Sequence, residues 1–86
     1  MRKQMQEPVY SKQAQKYLEI LNKKSQQRLK KGIEIIPEGD IAPYKNHEGY
    51  FRLRIGNFRV IFKWLGDEQI LISTINVRGQ VYKGGN

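Results

Sequence analysis

The sequence predicts an α+β fold in which a helical hairpin packs on one face of a small, mainly antiparallel β-sheet. Three observations predict it. Apolar residues recur at helical spacing through residues 11–36, and they alternate through residues 49–77. Between Tyr50 and Trp64 the stretch "YFRLRIGNFRVIFKW" reads as a β-hairpin around Gly56-Asn57. Helices first and strands second is the order of an α+β domain. At 86 residues the chain is expected to form one domain, 1–86, with a modest core.

The first ten residues are the least legible. "KQMQEPVY" alternates weakly through Met5 and Val9, and Pro8 confines any strand in 1–10 to an edge or an end. Ser11 reads as a helix N-cap, followed by Ala14, Tyr17, Leu18 and Leu21 in one apolar stripe. The opposite face would carry Lys12, Gln13, Lys16, Glu19 and Lys23. A second helix is expected from Ser25, burying Leu29, Ile33 and Ile36 and ending before Pro37. Gly32 inside it costs about 1 kcal/mol relative to alanine. The short connection makes the two helices an antiparallel hairpin.

Residues 37–49, "PEGDIAPYKNHEG", are rich in proline, glycine and charge and read as a loop. Strands are expected at about 49–55, 58–65 and 69–77, the last two joined by a turn at "GDE". The third, "QILISTINV", is apolar on both faces in places, as a central or covered strand is. Residues 78–86 form a C-terminal segment.

Gly-Asn at the centre of the hairpin is a two-residue turn signal, with glycine where a type II′ turn requires it. Phe51, Leu53 and Ile55 then share the core face with Phe58, Val60, Phe62 and Trp64. On the other face Arg54 lies across from Arg59, Arg52 across from Ile61, and Tyr50 across from Lys63. Like charges directly opposite one another destabilise a sheet. An anion between two guanidiniums relieves that repulsion, and arginine's planar fork suits phosphate. The plain alternative is a solvated polar face.

The whole chain leans the same way. Sixteen Lys and Arg against eight Asp and Glu give a net charge of +8, which favours a polyanionic partner. There is no cysteine, so no disulfide framework and no thiolate metal site, which suits a reducing cytoplasm. No apolar run has the length of a membrane span, and no signal-peptide pattern opens the chain. One histidine, His47, and no carboxylate cluster argue against a bound metal.

In order and spacing, four pieces resemble the RelE/ParE superfamily of toxins from bacterial type II toxin–antitoxin systems. They are the helix "YSKQAQKYLEIL", the loop "GDIAPYK", the hairpin "YFRLRIGNFRVIF", and an I-x-x-R-x-x-V-Y ending at Ile75, Arg78, Val81 and Tyr82. The resemblance covers nearly the whole chain and implies the α+β fold read above. It also implies one of two activities. RelE-type members enter the ribosomal A site and cut mRNA without metal; ParE-type members share the fold and poison DNA gyrase.

RelE-type members use a basic residue on the first central strand, an arginine on the next, a later arginine, and a tyrosine near the C-terminus. These positions resemble Arg52 (with Arg54 beside it), Arg59, Arg78 and Tyr82, and the full set favours the RelE branch. The chain departs from many relatives in having Val77 where a histidine precedes the late arginine. It also has arginine where lysine is common on the first strand, and it lacks the additional C-terminal helix of some members. The histidine's absence leaves the proton-transfer group open.

Metal-free RNA cleavage of this kind has the 2′-hydroxyl attack the adjacent phosphorus, leaving a 2′,3′-cyclic phosphate and a free 5′-hydroxyl. A 2′ proton must leave, charge on phosphorus must be stabilised, and the leaving 5′ oxygen must be protonated. The resemblance implies Arg59, Arg78, Tyr82 and Arg52 as catalytic residues, with Arg54, Lys63 and Tyr50 as substrate contacts and no cofactor. Arg59 and Arg78 suit charge stabilisation. Tyr82 is the first candidate for the base: a tyrosine hydroxyl ordinarily titrates near about 10, and surrounding guanidiniums favour phenolate. It could instead stack on a nucleobase or simply close the core. Histidine is better matched to proton transfer near neutrality, but His47 sits in the loop, outside the family pattern, and Glu48 beside it reads as a solvating charge. Reliance on the ribosome to orient the substrate is consistent with so sparse a site, since positioning alone can supply about 7–11 kcal/mol.

The expected partners are a cognate antitoxin, acidic and partly disordered when free, together with the ribosome and its mRNA. A gyrase inhibitor is the alternative within the fold, and a non-catalytic RNA- or antitoxin-binding module the alternative outside enzymes.

Overall fold

The structure, a computed structural model, describes residues 8–66 and 69–77. Two helices, α1 (Lys12–Ile20) and α2 (Lys23–Glu34), follow a two-residue strand β1 (Val9–Tyr10). Four strands follow them: β2 (Asp40–Pro43), β3 (Tyr50–Ile55), β4 (Phe58–Trp64) and β5 (Ile70–Val77). They form one sheet in the order β1-β5-β4-β3-β2, antiparallel throughout except for the parallel β1–β5 pair.

Both helices begin as the chemistry of their caps requires. Ser11 and Asn22 are extended, and their side-chain oxygens accept from the amides of Ala14 and Ser25. The second helix therefore starts at Lys23 rather than at Ser25, because Asn22 supplies the cap and takes the Ser25 amide. Gln26 then ties the helices together, its Nε2 donating to the carbonyls of Leu18 at 2.7 Å and Leu21 at 3.2 Å.

The helices bury Ala14, Leu18, Leu29 and Ile33, joined by Ile36 just past the end of α2, against Leu53, Val60, Phe62, Ile70, Ile72 and Ile75 of the sheet. Gly32 is part of that fit: a Cβ there would meet Ile55 Cδ1 at 2.5 Å. The helix-propensity cost of glycine is what lets α2 lie close on β3.

Two expectations need correction. The stretch 37–49 is not all loop, since Asp40–Pro43 pairs antiparallel with β3 along Asp40↔Arg54, Ile41↔Leu53, Ala42↔Arg52 and Pro43↔Phe51. Four residues ending in proline carry little local strand signal, but β3 offers an unpaired edge, and Pro43 is tolerated at the end of an edge strand. Nor is Gln13 a free solvent-face residue. Its amide donates to the carbonyl of Ile75 and accepts from the Ile75 amide, both at 3.0 Å.

Beside it, Ser11 donates through its backbone N–H to Ile72 O at 2.9 Å and through its hydroxyl to Ser73 O at 2.6 Å. Ser73 is an additional residue in β5, because Ile61 pairs with Thr74 while Phe62 pairs with Ile72. Such a bulge leaves a residue out of the ladder, and the N-cap of α1 takes up its carbonyl.

Candidate functional site: the outer face of the sheet

Residues directly opposite in the ladder share a face, so the register gives the far side of the sheet row by row. Nearest the β3–β4 turn runs Asp40–Arg54–Arg59–Asn76. Next comes Ala42–Arg52–Ile61–Thr74, and beyond it Tyr50–Lys63–Leu71. The turn that sets this register has the expected form: of its two central residues only Gly56 takes a positive φ, 58°, as type II′ demands.

The arginines are not equivalent. Arg54 is exposed, while Arg52 and Arg59 are half-buried. Arg59 Nε donates to Asn76 Oδ1 at 3.4 Å, a long bond. Arg52 Nη1 is buried and has no hydrogen-bond partner among the described residues. A buried donor left unpaired is costly, so among the described residues the second row presents one guanidinium nitrogen still in need of an acceptor. Ile61 beside it is only 6% exposed and gives the arginines an apolar floor, where electrostatic attraction is stronger than in open water.

At the other end of the face, Lys63 Nζ stands over the Tyr50 ring, 5.2 Å from its centroid, a cation–π arrangement. Two aromatic residues of the β2–β3 connection join them. His47 stacks on Tyr44 with centroids 4.7 Å apart and meets Tyr50 edge-on at 6.4 Å. The sequence reading did not include Tyr44 and set His47 aside. The signal that could have found them is turn chemistry: Asn46 and Gly49 adopt φ of 65° and 87°, and these are residue types that tolerate such angles.

The site residues Tyr50, Arg52, Arg54, Arg59 and Lys63 thus lie on one face, Arg54 and Arg59 directly opposite each other. Arg78 and Tyr82 lie outside the described residues. Among the described residues no cluster of histidine, cysteine or carboxylates could hold a metal ion, and no helix is long and apolar enough to cross a membrane.

Fold and face together define a small α+β protein that turns a row of guanidiniums outward. Residues 9–82 match the family model described as "ParE toxin of type II toxin-antitoxin system, parDE", and the chain belongs to this family of toxins within the RelE/ParE superfamily. Its fold is similar to that in the crystal structure of the RelB-RelE antitoxin–toxin complex from Methanococcus jannaschii, with a TM-score of 0.66 and 22% sequence identity. That likeness covers 81% of this chain and 89% of the other. A search of curated proteins finds no match.

Proposed function

We propose that this toxin is a ribosome-dependent, metal-free mRNA endonuclease that inhibits translation. The observation that carries the reading is the Arg54–Arg59 pair beside Arg52, whose buried Nη1 has no acceptor among the described residues. Three guanidiniums over an apolar floor are matched to phosphate and poorly matched to one another. In this reading Arg59, with Arg78, stabilises the charge that builds on phosphorus as the 2′ oxygen attacks. Arg52 and Arg54 hold neighbouring phosphates, Tyr82 as phenolate takes the 2′ proton, and the leaving 5′ oxygen takes a proton from water. The products are a 2′,3′-cyclic phosphate and a 5′-hydroxyl.

The partner that restrains it is an antitoxin, as in the RelB-RelE complex of similar fold. An acidic segment laid over the arginine rows would silence the face by occupying it.

Induced expression of the wild type and of Arg59→Ala tests this. Rapid translational arrest by the wild type, with mRNA cut within codons, is the expected result. Loss of one charge-stabilising group should slow cleavage by about 10²–10³-fold, while an antitoxin spanning several arginines loses one contact of many and still binds. One observation favours a second reading: the matching family model bears the ParE name, which suits gyrase inhibition. In that case DNA-damage signalling would rise first and translation would fail only later. Absence of any growth arrest, with soluble protein confirmed, would leave a binding module.

A further inference from the structure

The ring cluster at the β2–β3 connection is not part of the hydrophobic core, which the helices close without Tyr44, His47 or Tyr50. It is nevertheless tightly built, and by the backbone. Tyr44 N–H donates to Tyr50 O at 2.9 Å, His47 N–H to Tyr44 O at 3.1 Å, and Tyr50 N–H to His47 O at 3.1 Å. Each residue that carries a ring is thus bonded through its main chain to the other two. The link from Tyr44 to His47 closes a turn with Asn46 at its third position, and that from His47 to Tyr50 closes another with Gly49 there. His47 Nδ1 lies 3.0 Å from Lys45 O. A carbonyl only accepts, so Nδ1 is the donor in this contact.

We infer that Tyr44, His47 and Tyr50, with Lys63, form a platform on which an unpaired nucleobase stacks. The inference rests on the RNA reading of the arginine face. Rings fixed before the ligand arrives lose little freedom on binding it, and every base offers a π-face to an aromatic side chain. Location selects the ligand. Tyr50 shares its strand face with Arg52 and Arg54, two and four residues further on, or about 7 and 13 Å at the usual strand rise. A single strand whose phosphates follow the arginines has its next base over the rings, and Lys63 above Tyr50 adds a cation for the intervening phosphate. Tyr44 and His47 are the residues this assigns beyond the arginine rows.

The test uses the full-length protein and short single-stranded RNAs carrying a terminal fluorescein and one 2-aminopurine, moved stepwise along the strand. Anisotropy reports binding, and 2-aminopurine quenching reports stacking. The variants are Tyr44→Leu and His47→Ala, which leave every main-chain bond of the two turns in place; far-UV circular dichroism and Tm confirm the fold. The expected result is quenching at one position in the wild type, lost in the variants with affinity lower by about 5- to 150-fold, the range for one base–aromatic stack. Binding with no quenching at any position, or with the same quenching in both variants, overturns the platform and leaves the RNA reading standing. Failure of the wild type to bind any of the RNAs at low salt overturns the platform; if, in addition, Arg59→Ala cuts mRNA on the ribosome as fast as the wild type, or neither cuts it, the RNA reading falls as well.

Discussion

Arg59→Gln should make the protein more stable and its RNA binding weaker, and the size of the first effect follows from the row in which Arg59 stands. Arg54 has a carboxylate on one side, Asp40, and a cation on the other, Arg59. Arg59 has a cation on one side and only the Asn76 amide on the other, at 3.4 Å. Opposite-charge and like-charge cross-strand pairs are each worth about 0.2–1 kcal/mol, with opposite signs. Replacing Arg59 removes a repulsion and a long hydrogen bond that glutamine can remake, a net gain of about 0.2–1 kcal/mol. Replacing Arg54 removes the same repulsion together with its attraction to Asp40, a net change near zero.

For a domain of this size the Arg59 variant should melt about 1–8 °C higher, with Arg54→Gln close to the wild type. In about 1 M salt, where the Debye length shrinks to about 3 Å, the difference should largely vanish. RNA affinity moves the other way, and loss of one phosphate contact flattens the slope of log K against log salt by about 0.7. The assays are thermal melts at two salt concentrations and fluorescence anisotropy across a salt series. A lower Tm for Arg59→Gln at low salt would refute the reasoning, because it would make Arg59 a structural residue.

Three further outcomes follow from the packing. Gly32→Ala should destabilise despite alanine's better helix propensity, since its Cβ would stand 2.5 Å from Ile55 Cδ1 and 2.9 Å from Cγ1. Overpacking costs of about 1–3 kcal/mol outweigh a gain of about 1, and urea titration of Gly32→Ala with Ile55→Val, which removes Cδ1, should show partial rescue. Gln13→Ala leaves Ile75 N–H and C=O without their partner and should cost about 1–3 kcal/mol in the same assay. Tyr17, which meets Phe58 edge-on at 6.4 Å, has its hydroxyl pKa raised by desolvation. Above the ordinary tyrosine value the unfolded chain loses that proton while the folded one keeps it, so stability falls as pH rises from there through the raised value. Tyr17→Phe keeps the ring contact and should lessen that alkaline loss in pH-dependent melts.

What could be read from the sequence was what local chemistry decides. Gly56-Asn57 sets a two-residue turn, the turn sets the register, and the register puts Arg54 against Arg59 and Tyr50 against Lys63, as the structure has them. The helix stripes were legible because every third or fourth position is apolar. The rest depended on partners distant in sequence. β2 becomes a strand because β3 has an edge to fill, and nothing within "DIAP" announces it. Gln13 reads as a solvent-face residue until the fold brings Ile75 to it, 62 positions away. The aromatic cluster was half legible: two turn-forming residues, Asn46 and Gly49, bracket His47, yet only the closed set of main-chain bonds reveals that three rings meet.

The contacts of Ser11 and Gln13 also decide how this sheet can grow. Along the outer side of β5, the pairing begun by β1 at Leu71 and Ile72 is continued by Ser11 at Ile72 and Ser73 and by the Gln13 amide at Ile75. A side-chain amide there does the work of a missing strand, and an incoming strand finds those groups already taken. At the opposite margin, β2 has no further strand beside it among the described residues. Among the described residues the sheet therefore offers a guest strand a longer edge at β2 than at the two-residue β1.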